Sequence, residues 1–315
     1  MIPLFSVIVP LFNKEAYIVE TLRSIMNQSC QDFELIVVDD CSTDNSLKLV
    51  KSLQIPNIRI ICHKTNKGLS ATRNTGARQA KSELITMLDA DDRWHHDFLS
   101  SIAKMVVDFP KASIFGTGFN EIYSNGKKIW AKPKIPFLKE NSSFIIRDFF
   151  KNSLGMPLYC MSSVAYKKTT LEEVEGFDEN IKYSEDIDFF IKINLKYTSA
   201  YHCAPLSDVR VGGSEQMTVV KLTHQLLPDL DKYEAGNAQN TSFVRYLNFK
   251  RYMYAMRYRQ SGAYDHFYQL RKNTNKQMLT FRQLILLHSP KPIYNLIRFV
   301  KKQALYLGIR LTSFD

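Results

Sequence analysis

Phe33-Glu34-Leu35-Ile36-Val37-Val38-Asp39-Asp40 is an aliphatic, β-branched run closed by two carboxylates. A strand buried on both faces reads as a near-continuous apolar run, whereas a half-exposed strand alternates. The same grammar recurs on either side of this stretch. Phe5 to Val9, Ile58 to Cys62, Leu84 to Leu88 and Ser113 to Phe115 read as strands. Between them, Glu15 to Asn27, Asn45 to Leu53, Leu69 to Ala80 and His96 to Asp108 carry helical spacing. The alternation predicts an α/β fold, a Rossmann-like, mostly parallel sheet sandwiched by helices. Ligands bind such sheets beyond the carboxyl ends of the strands. The polar signals gather at those ends: Pro10-Leu11-Phe12-Asn13, Asp39-Asp40, Asn66-Lys67-Gly68 and Asp89-Ala90-Asp91-Asp92.

Further along, residues 119 to 135 read as a hairpin around Asn125-Gly126. Met161 to Tyr166 reads as a strand, Thr170 to Val174 as a short helix, Gly176 as a turn, and a helix begins near Glu185. After residue 215 the pattern turns helical, aromatic and basic.

With 45% hydrophobic residues and only 12 Gly and 11 Pro in 315, the chain is neither disordered nor collagen-like. No run approaches the roughly 20 apolar residues that cross a bilayer, and Met1 to Val9 lacks a charged segment ahead of an apolar one. A cytoplasmic protein is expected. The five cysteines, without a C-x-x-C pair, read as reduced thiols. The net charge of +11 is localised: residues 221 to 315 hold 16 basic and 5 acidic side chains, and the rest is balanced.

Leu88-Asp89-Ala90-Asp91-Asp92 sets three carboxylates within four residues of a strand end. Like charges so close raise one another's pKa unless a cation compensates. A hard divalent ion, Mg²⁺ or Mn²⁺, would do so and leave positions open for a diphosphate. The plainer reading is that Asp92 caps the next helix and its neighbours are solvated. Asp39-Asp40-Cys41-Ser42-Thr43-Asp44 suits either acceptance from a base or ribose, or a capping turn. Lys67-Gly68 and Arg73-Asn74 add backbone freedom and cations to the same crevice. Glu185-Asp186-Ile187-Asp188 opens a helix, where acids are favoured by the dipole, yet an ionised Asp beside an acceptor hydroxyl is what a general base requires.

Ser6 to Glu15, Val38-Asp39-Asp40 with Ser42-Thr43-Asp44, Asn66-x-Gly68 with Ala71-x-Arg73-Asn74, Leu88 to Asp92, and Gly176-Phe177-Asp178 followed by Glu185-Asp186 resemble the family 2 glycosyltransferases with a GT-A fold. The resemblance runs in order from residue 4 to about 212. It implies an inverting transferase of bacterial polysaccharide or glycolipid type, using a nucleotide-diphosphate sugar, UDP-linked by preference. Pro10 and Phe12 would line the base and Asp40 would accept from its edge. Asp89 would approach the ribose and donor, Asp91 would bind the metal, and Asp186 would be the catalytic base. Glu15, Lys67, Gly68, Arg73, Asn74, Ala90 and Arg210 complete the implied donor surroundings. The departures are Cys41 for the usual Gly, Phe12 for the commoner Tyr, and Glu175-Gly176 where two glycines are common. The Q-x-x-R-W signature of processive synthases is absent.

On this basis residues 1–215 form the catalytic domain, with a nucleotide-sugar half (1–115) and an acceptor half (116–215), and 216–315 form a basic helical extension. Ile293, Leu296, Ile297, Val300, Ala304, Leu307 and Leu311 fall on one helical face, with Arg298, Lys301 and Lys302 opposite. Upstream, Arg245-Tyr246, Lys250-Arg251-Tyr252, Tyr254, Arg257-Tyr258-Arg259 and Phe267-Tyr268 interleave cations with rings. Helices 243–311 either pack on the catalytic domain or dock on an anionic membrane surface where a polyprenyl-diphosphate-linked saccharide acceptor would reside. That would make the protein peripheral on the inner face of the plasma membrane. No nucleic acid partner is expected, for want of a binding motif. Two other functions are weighed. A sugar-nucleotide pyrophosphorylase needs a Gly-rich loop after the first strand, which Pro10 to Glu15 lacks. A non-catalytic basic binding module predicts loss of Asp40, Asp91 and Asp186, all of which are present.

Overall fold

Every side chain of strand β1 (Phe5–Leu11) is buried, as its unbroken apolar run requires. In the computed structural model, which describes residues 2–133, 135, 139–211 and 227–306, β1 lies between β2 (Phe33–Asp39) and β4 (Leu84–Met87), parallel to both. Strand β3 (Arg59–Cys62) extends the parallel set beyond β2. Helices α1 (Ile18–Met26), α2 (Ser46–Ser52) and α3 (Leu69–Gln79) make the crossovers. Helix α3 lies so close to the sheet that a Cβ on Gly76 would come within 2.4 Å of Ile8 Cγ2.

The chain continues through β5 (Arg93–Trp94), α4 (Phe98–Asp108), the hairpin β6 (Ile114–Tyr123) and β7 (Lys128–Trp130), β8 (Ser143–Ile146) and α5 (Phe149–Asn152). Then come β9 (Val164–Lys167), α6 (Lys168–Glu173), α7 (Glu185–Lys196) and β10 (Ser199–Val211). The main path of the sheet runs β3-β2-β1-β4-β9-β6-β10-β5. β9 pairs antiparallel with both β4 and β6, while β6 and β10 return to parallel. This is the α/β, mostly parallel GT-A architecture expected from the sequence.

Three differences stand out. Residues 161–163 form a 3-10 turn, so the strand expected from Met161 starts at Val164. The long strand β10 was not anticipated, because Pro205 interrupts it; the register with β6 shifts on both sides of that proline, and the bulge accommodates the missing N–H. The hairpin forms around Gly126, but residues 134 and 136–138 of its expected span lie outside the described residues.

Apolar cores cover both faces of the sheet, one built on Phe5, Val7, Leu22 and Phe98, the other on Ile8, Tyr166, Phe189 and Tyr201. Beyond the sheet lie α8 (Asp231–Glu234), α9 (Thr241–Ser261), α10 (Tyr264–Asn273), α11 (Phe281–His288) and α12 (Lys291–Tyr306). Phe243, Tyr246, Leu247 and Tyr254 of α9 enter the same core as Phe149, Tyr159 and Phe190. A separate cluster, with Tyr252, Phe267 and Leu287, binds α9 to α10 and α11.

For α9 this is the first of the two readings of 243–311, packing on the catalytic domain, so its cations and rings do not form a continuous docking face. In α9, Tyr246, Lys250, Arg251, Tyr252, Tyr254 and Arg259 are buried, not offered to a surface. Arg251 pairs with Asp231 and Glu234, and Arg259 donates to the carbonyls of Leu286 (2.6 Å) and Ser289. The expected domain boundary at 215/216, and Leu307 and Leu311 of the expected final helix, lie outside the described residues.

Candidate active site

The loops after β1 and β2 are latched to each other. Asn13, held at φ +48°, takes the Thr43 N–H on its side-chain oxygen at 2.8 Å and donates its own N–H to Ser42 Oγ. Lys14 N–H donates to Ser46 Oγ, and the Glu15 carboxylate accepts from Asn45 N–H at 2.8 Å. Glu15 is thereby committed to the start of α2. Pro10 is buried in β1, and Phe12 beside it is 42% exposed, an aromatic face open to a ligand.

Asp40 is buried and anchors the loop after β3. Its Oδ1 accepts from Lys67 N–H (2.9 Å) and meets His63 Nδ1 (2.7 Å), and its Oδ2 accepts from Gly68 N–H (2.8 Å). A carboxylate offers about four acceptor positions, so one on Oδ2 is left. His63, whose Nε2 meets Thr75 Oγ1 at 3.0 Å, had no motif to announce it. Asp39, also buried, has one oxygen with no partner among the described residues.

Cys41 and Glu175, the two departures from glycine, both sit in left-handed backbone, at φ +65° and +59°. Gly176 follows at φ +65°, and a Cβ there would meet Asn74 Oδ1 at 2.5 Å. Left-handed geometry costs a non-glycine residue roughly 1–2 kcal/mol. Cys41→Gly and Glu175→Gly are therefore expected each to stabilise by about 0.5–1 kcal/mol after the entropy of the added glycine is subtracted, a rise in urea midpoint. A lowered midpoint in both would contradict the strain assignment.

The three carboxylates after β4 have separate fates. Asp89 Oδ1 accepts from Arg73 at 2.8 Å, and Asp91 Oδ2 accepts from Lys14 Nζ at 2.7 Å. Asp92 is buried, bonded by Ser162 Oγ (2.6 Å) and Arg210 N–H (3.0 Å), and burial with its acidic neighbours pushes its carboxyl well up. It does not cap α4, which starts after Asp97. Ala90 is buried, its carbonyl accepting from Thr21 Oγ1. Arg210 ties this loop to β10 and α1, donating to Asp91 O at 2.9 Å and pairing with Glu20.

Arg73, only 2% exposed, joins the two halves of the crevice. One arm of its guanidinium holds Asp89 and the other holds Glu185 at 2.8 Å. Burial pushes the Glu185 carboxyl up while Arg73 opposes it. Asn74 is spent internally: its amide donates to Phe177 O (2.8 Å) and Glu179 (3.0 Å), and its oxygen accepts from Phe177 N–H (2.9 Å). The resemblance implied that both residues sit around the donor; in the fold they staple α3 to the loops that carry the acids.

Asp186, in the first turn of α7, accepts from Ile187 N–H on Oδ1, and no described residue bonds its Oδ2. Burial raises its carboxyl above the ordinary value, against the pull of Arg73 and then Lys250. Lys250 of α9, read from sequence as part of the basic tail, is 7% exposed beside it. Its ammonium lies 4.8 Å from the Tyr246 ring centre and has no hydrogen bond or ion pair among the described residues. Burial lowers its pKa from 10.5 to about 8, with Asp186 acting the other way. The unfolded chain holds that proton more tightly, so this group costs stability below pH 8, and the cost fades as pH rises toward 10.5. Lys250→Met is thus expected to melt several degrees above the parent at pH 7, with the difference narrowing by pH 10; a lower melting temperature at pH 7 would refute this.

Among the described residues, no three His, Cys, Asp or Glu side chains gather to hold a metal by themselves. Mg²⁺-type sites often take one or two carboxylates and fill the rest with substrate phosphate and water, so Asp91 suits one once Lys14 yields.

Asp40 and the acids of 89–92 thus follow the carboxyl ends of parallel strands in an α/β sheet, with an exposed ring at Phe12 after β1. The sequence profile described as Glycosyl transferase family 2 matches residues 6–174, over half of the chain. The chain belongs to that family.

The putative teichuronic acid biosynthesis glycosyltransferase TuaG of Bacillus subtilis is 27% identical over 201 residues, 63% of this chain and 75% of that protein. An uncharacterized glycosyltransferase of Rickettsia felis is 28% identical over 240 residues, 76% of this chain but only 36% of the relative's length. The crystal structure of S. aureus TarS 1-349 in complex with UDP-GlcNAc matches with a TM-score of 0.64 at 20% identity, covering 97% of this chain and 92% of that one, a likeness of fold.

Proposed function

We propose that this chain is an inverting glycosyltransferase that moves a hexosyl unit from a UDP-sugar to a hydroxyl of a glycan or polyprenyl-diphosphate-linked acceptor in surface polysaccharide synthesis. The observation that carries the reading is the Asp89–Arg73–Glu185 bridge, because it fixes a free carboxylate, Asp186, against the loop that carries the acids. Phe12 offers the stacking face for the base, and the remaining acceptor position of Asp40 suits one N–H of uracil. Asp91 would hold Mg²⁺ or Mn²⁺, which when bound supplies Lewis-acid stabilisation to the leaving diphosphate. Asp186 takes the proton of the acceptor hydroxyl as its oxygen attacks C1 from the face opposite the diphosphate. The C1–O bond to the diphosphate breaks in the same step, so no covalent enzyme intermediate forms. The names of relatives such as TuaG favour an anionic cell-surface polymer as the product.

The deciding experiment is thermal unfolding with UDP, GDP, dTDP and CMP, each with and without Mn²⁺. A ligand at about 100 times its Kd adds roughly 2.7 kcal/mol, a shift of a few degrees at this size. A shift with UDP that grows with Mn²⁺ is expected. A shift with another nucleotide alone would reassign the donor, and none with any would remove the nucleotide reading.

A further inference from the structure

A surface helix ordinarily turns its apolar stripe to the core. Helix α12 does the reverse. It is attached through Tyr294, which is buried under Arg259 with the guanidinium 4.4 Å from the ring centre. Ile293, Leu296, Phe299 and Val300 are 50–62% exposed, so four large apolar side chains within eight residues face outward. At 100° per residue, Ile293, Leu296, Ile297, Val300 and Ala304 span an arc of about 100°, with Lys291 and Arg298 on the opposite side. No acid lies on α12, and beyond Glu234 the chain has only Asp265 and Asp315.

We propose that α12 lies in the plane of an anionic bilayer surface, its Ile293–Leu296–Val300 stripe sunk to the acyl boundary and its cations among the headgroups. The charge decides the occupant. A second copy would bring up another helix that carries cations and no acid, so no carboxylate of α12 would answer the charges that flank the stripe. Nucleic acid would match the charge but would leave the aliphatic stripe bare. An anionic membrane satisfies both features, each nearby cation contributing and the apolar stripe adding buried area. The inference centres the membrane contact on this helix, since Lys250, Arg251 and Arg259 of α9 are buried. It does not depend on the transferase reading.

The test is co-sedimentation of the full chain with vesicles of phosphatidylglycerol and phosphatidylcholine, against phosphatidylcholine alone, at low and high salt. Binding to the anionic vesicles, weakened by salt, is expected. Leu296→Asp with Phe299→Asp should cut the bound fraction at least about tenfold. Both side chains are exposed, so the variant should keep its melting temperature, and circular dichroism checks this. Parent protein that stays in the supernatant with both vesicles overturns the proposal. So does undiminished binding by the double variant, or by a more conservative Leu296→Gln with Phe299→Gln. A concentration-dependent dimer of the parent, lost in the variant and unaffected by lipid, would assign the face to a second copy instead.

Discussion

Asp186→Asn is expected to retain UDP binding and lose transfer by about 10²- to 10⁴-fold, the range over which a positioned general base acts. The substitution keeps the shape and removes the charge from the acid of α7's first turn that has no ion pair among the described residues. Glu185 beside it is held by Arg73, and Asp188 is bonded by Tyr233 (2.6 Å) and paired with Lys192 and Lys232. Because burial raises the Asp186 carboxyl, the acid limb of the parent's rate profile should lie above the ordinary carboxylate range near 4. Two measurements check this: single-turnover transfer by the variant and nucleotide binding by calorimetry. Near-parental turnover would take Asp186 out of the role, and lost nucleotide binding would make it a donor contact instead.

The parallel half of the sheet was legible because β1, β4 and most of β2 are buried and carry near-continuous apolar runs. The antiparallel part was legible in pieces: the hairpin around Gly126 and a strand over Met161 to Tyr166 were read, but not the start of β9 nor the extent of β10. β9 is four residues long, begins after a 3-10 turn built on Ser162 and Ser163, and has no period of its own. β10 hid behind Pro205. In the site, residue types at strand ends pointed to Asp40, Asp89 and Asp91, and a helix start pointed to Asp186, but their partners could not be read. Lys14 meets Asp91 across 77 residues and Arg73 meets Glu185 across 112, and no local spacing encodes such distances. Arg73 and Asn74 were placed near the donor by resemblance; what no motif announced is that Arg73 bonds Asp89 and Glu185, and Asn74 bonds Phe177 and Glu179. Lys250 was misread for a different reason. Cations and rings surround α9 on every side, so its sequence does not say which face is buried, and only packing brings that ammonium beside Asp186.

The second large effect is expected at Arg73. Replacement by Met leaves Asp89 and the buried Glu185 without a counter-charge, and removing one partner from a buried ion pair costs about 3–5 kcal/mol. The Arg73 guanidinium also lies 5.4 Å from the Phe177 ring centre, and its attraction to that ring disappears with the charge. Arg73→Lys should recover little, since a single ammonium cannot reproduce a fork whose two arms reach one acid on the loop after β4 and another at the start of α7. Without Arg73, burial and then the neighbouring acids Asp186 and Asp89 push Glu185 up, so its folded pKa rises further above that of the unfolded chain. The folded variant then binds the proton more tightly, and its stability falls as pH rises from about 5 to 8. Urea unfolding should therefore show Arg73→Met closer to the parent at pH 5 than at pH 8. Adding Glu185→Gln should restore part of the loss, because the stranded charge is gone, and the double-mutant cycle reads the coupling. Transfer should fall with Arg73→Met even at temperatures where the variant is folded, since the bridge sets the base-bearing helix against the acidic loop. A parental urea midpoint for Arg73→Met at pH 8 would mean that the bridge carries no stability, and a parental rate that it does not align the site.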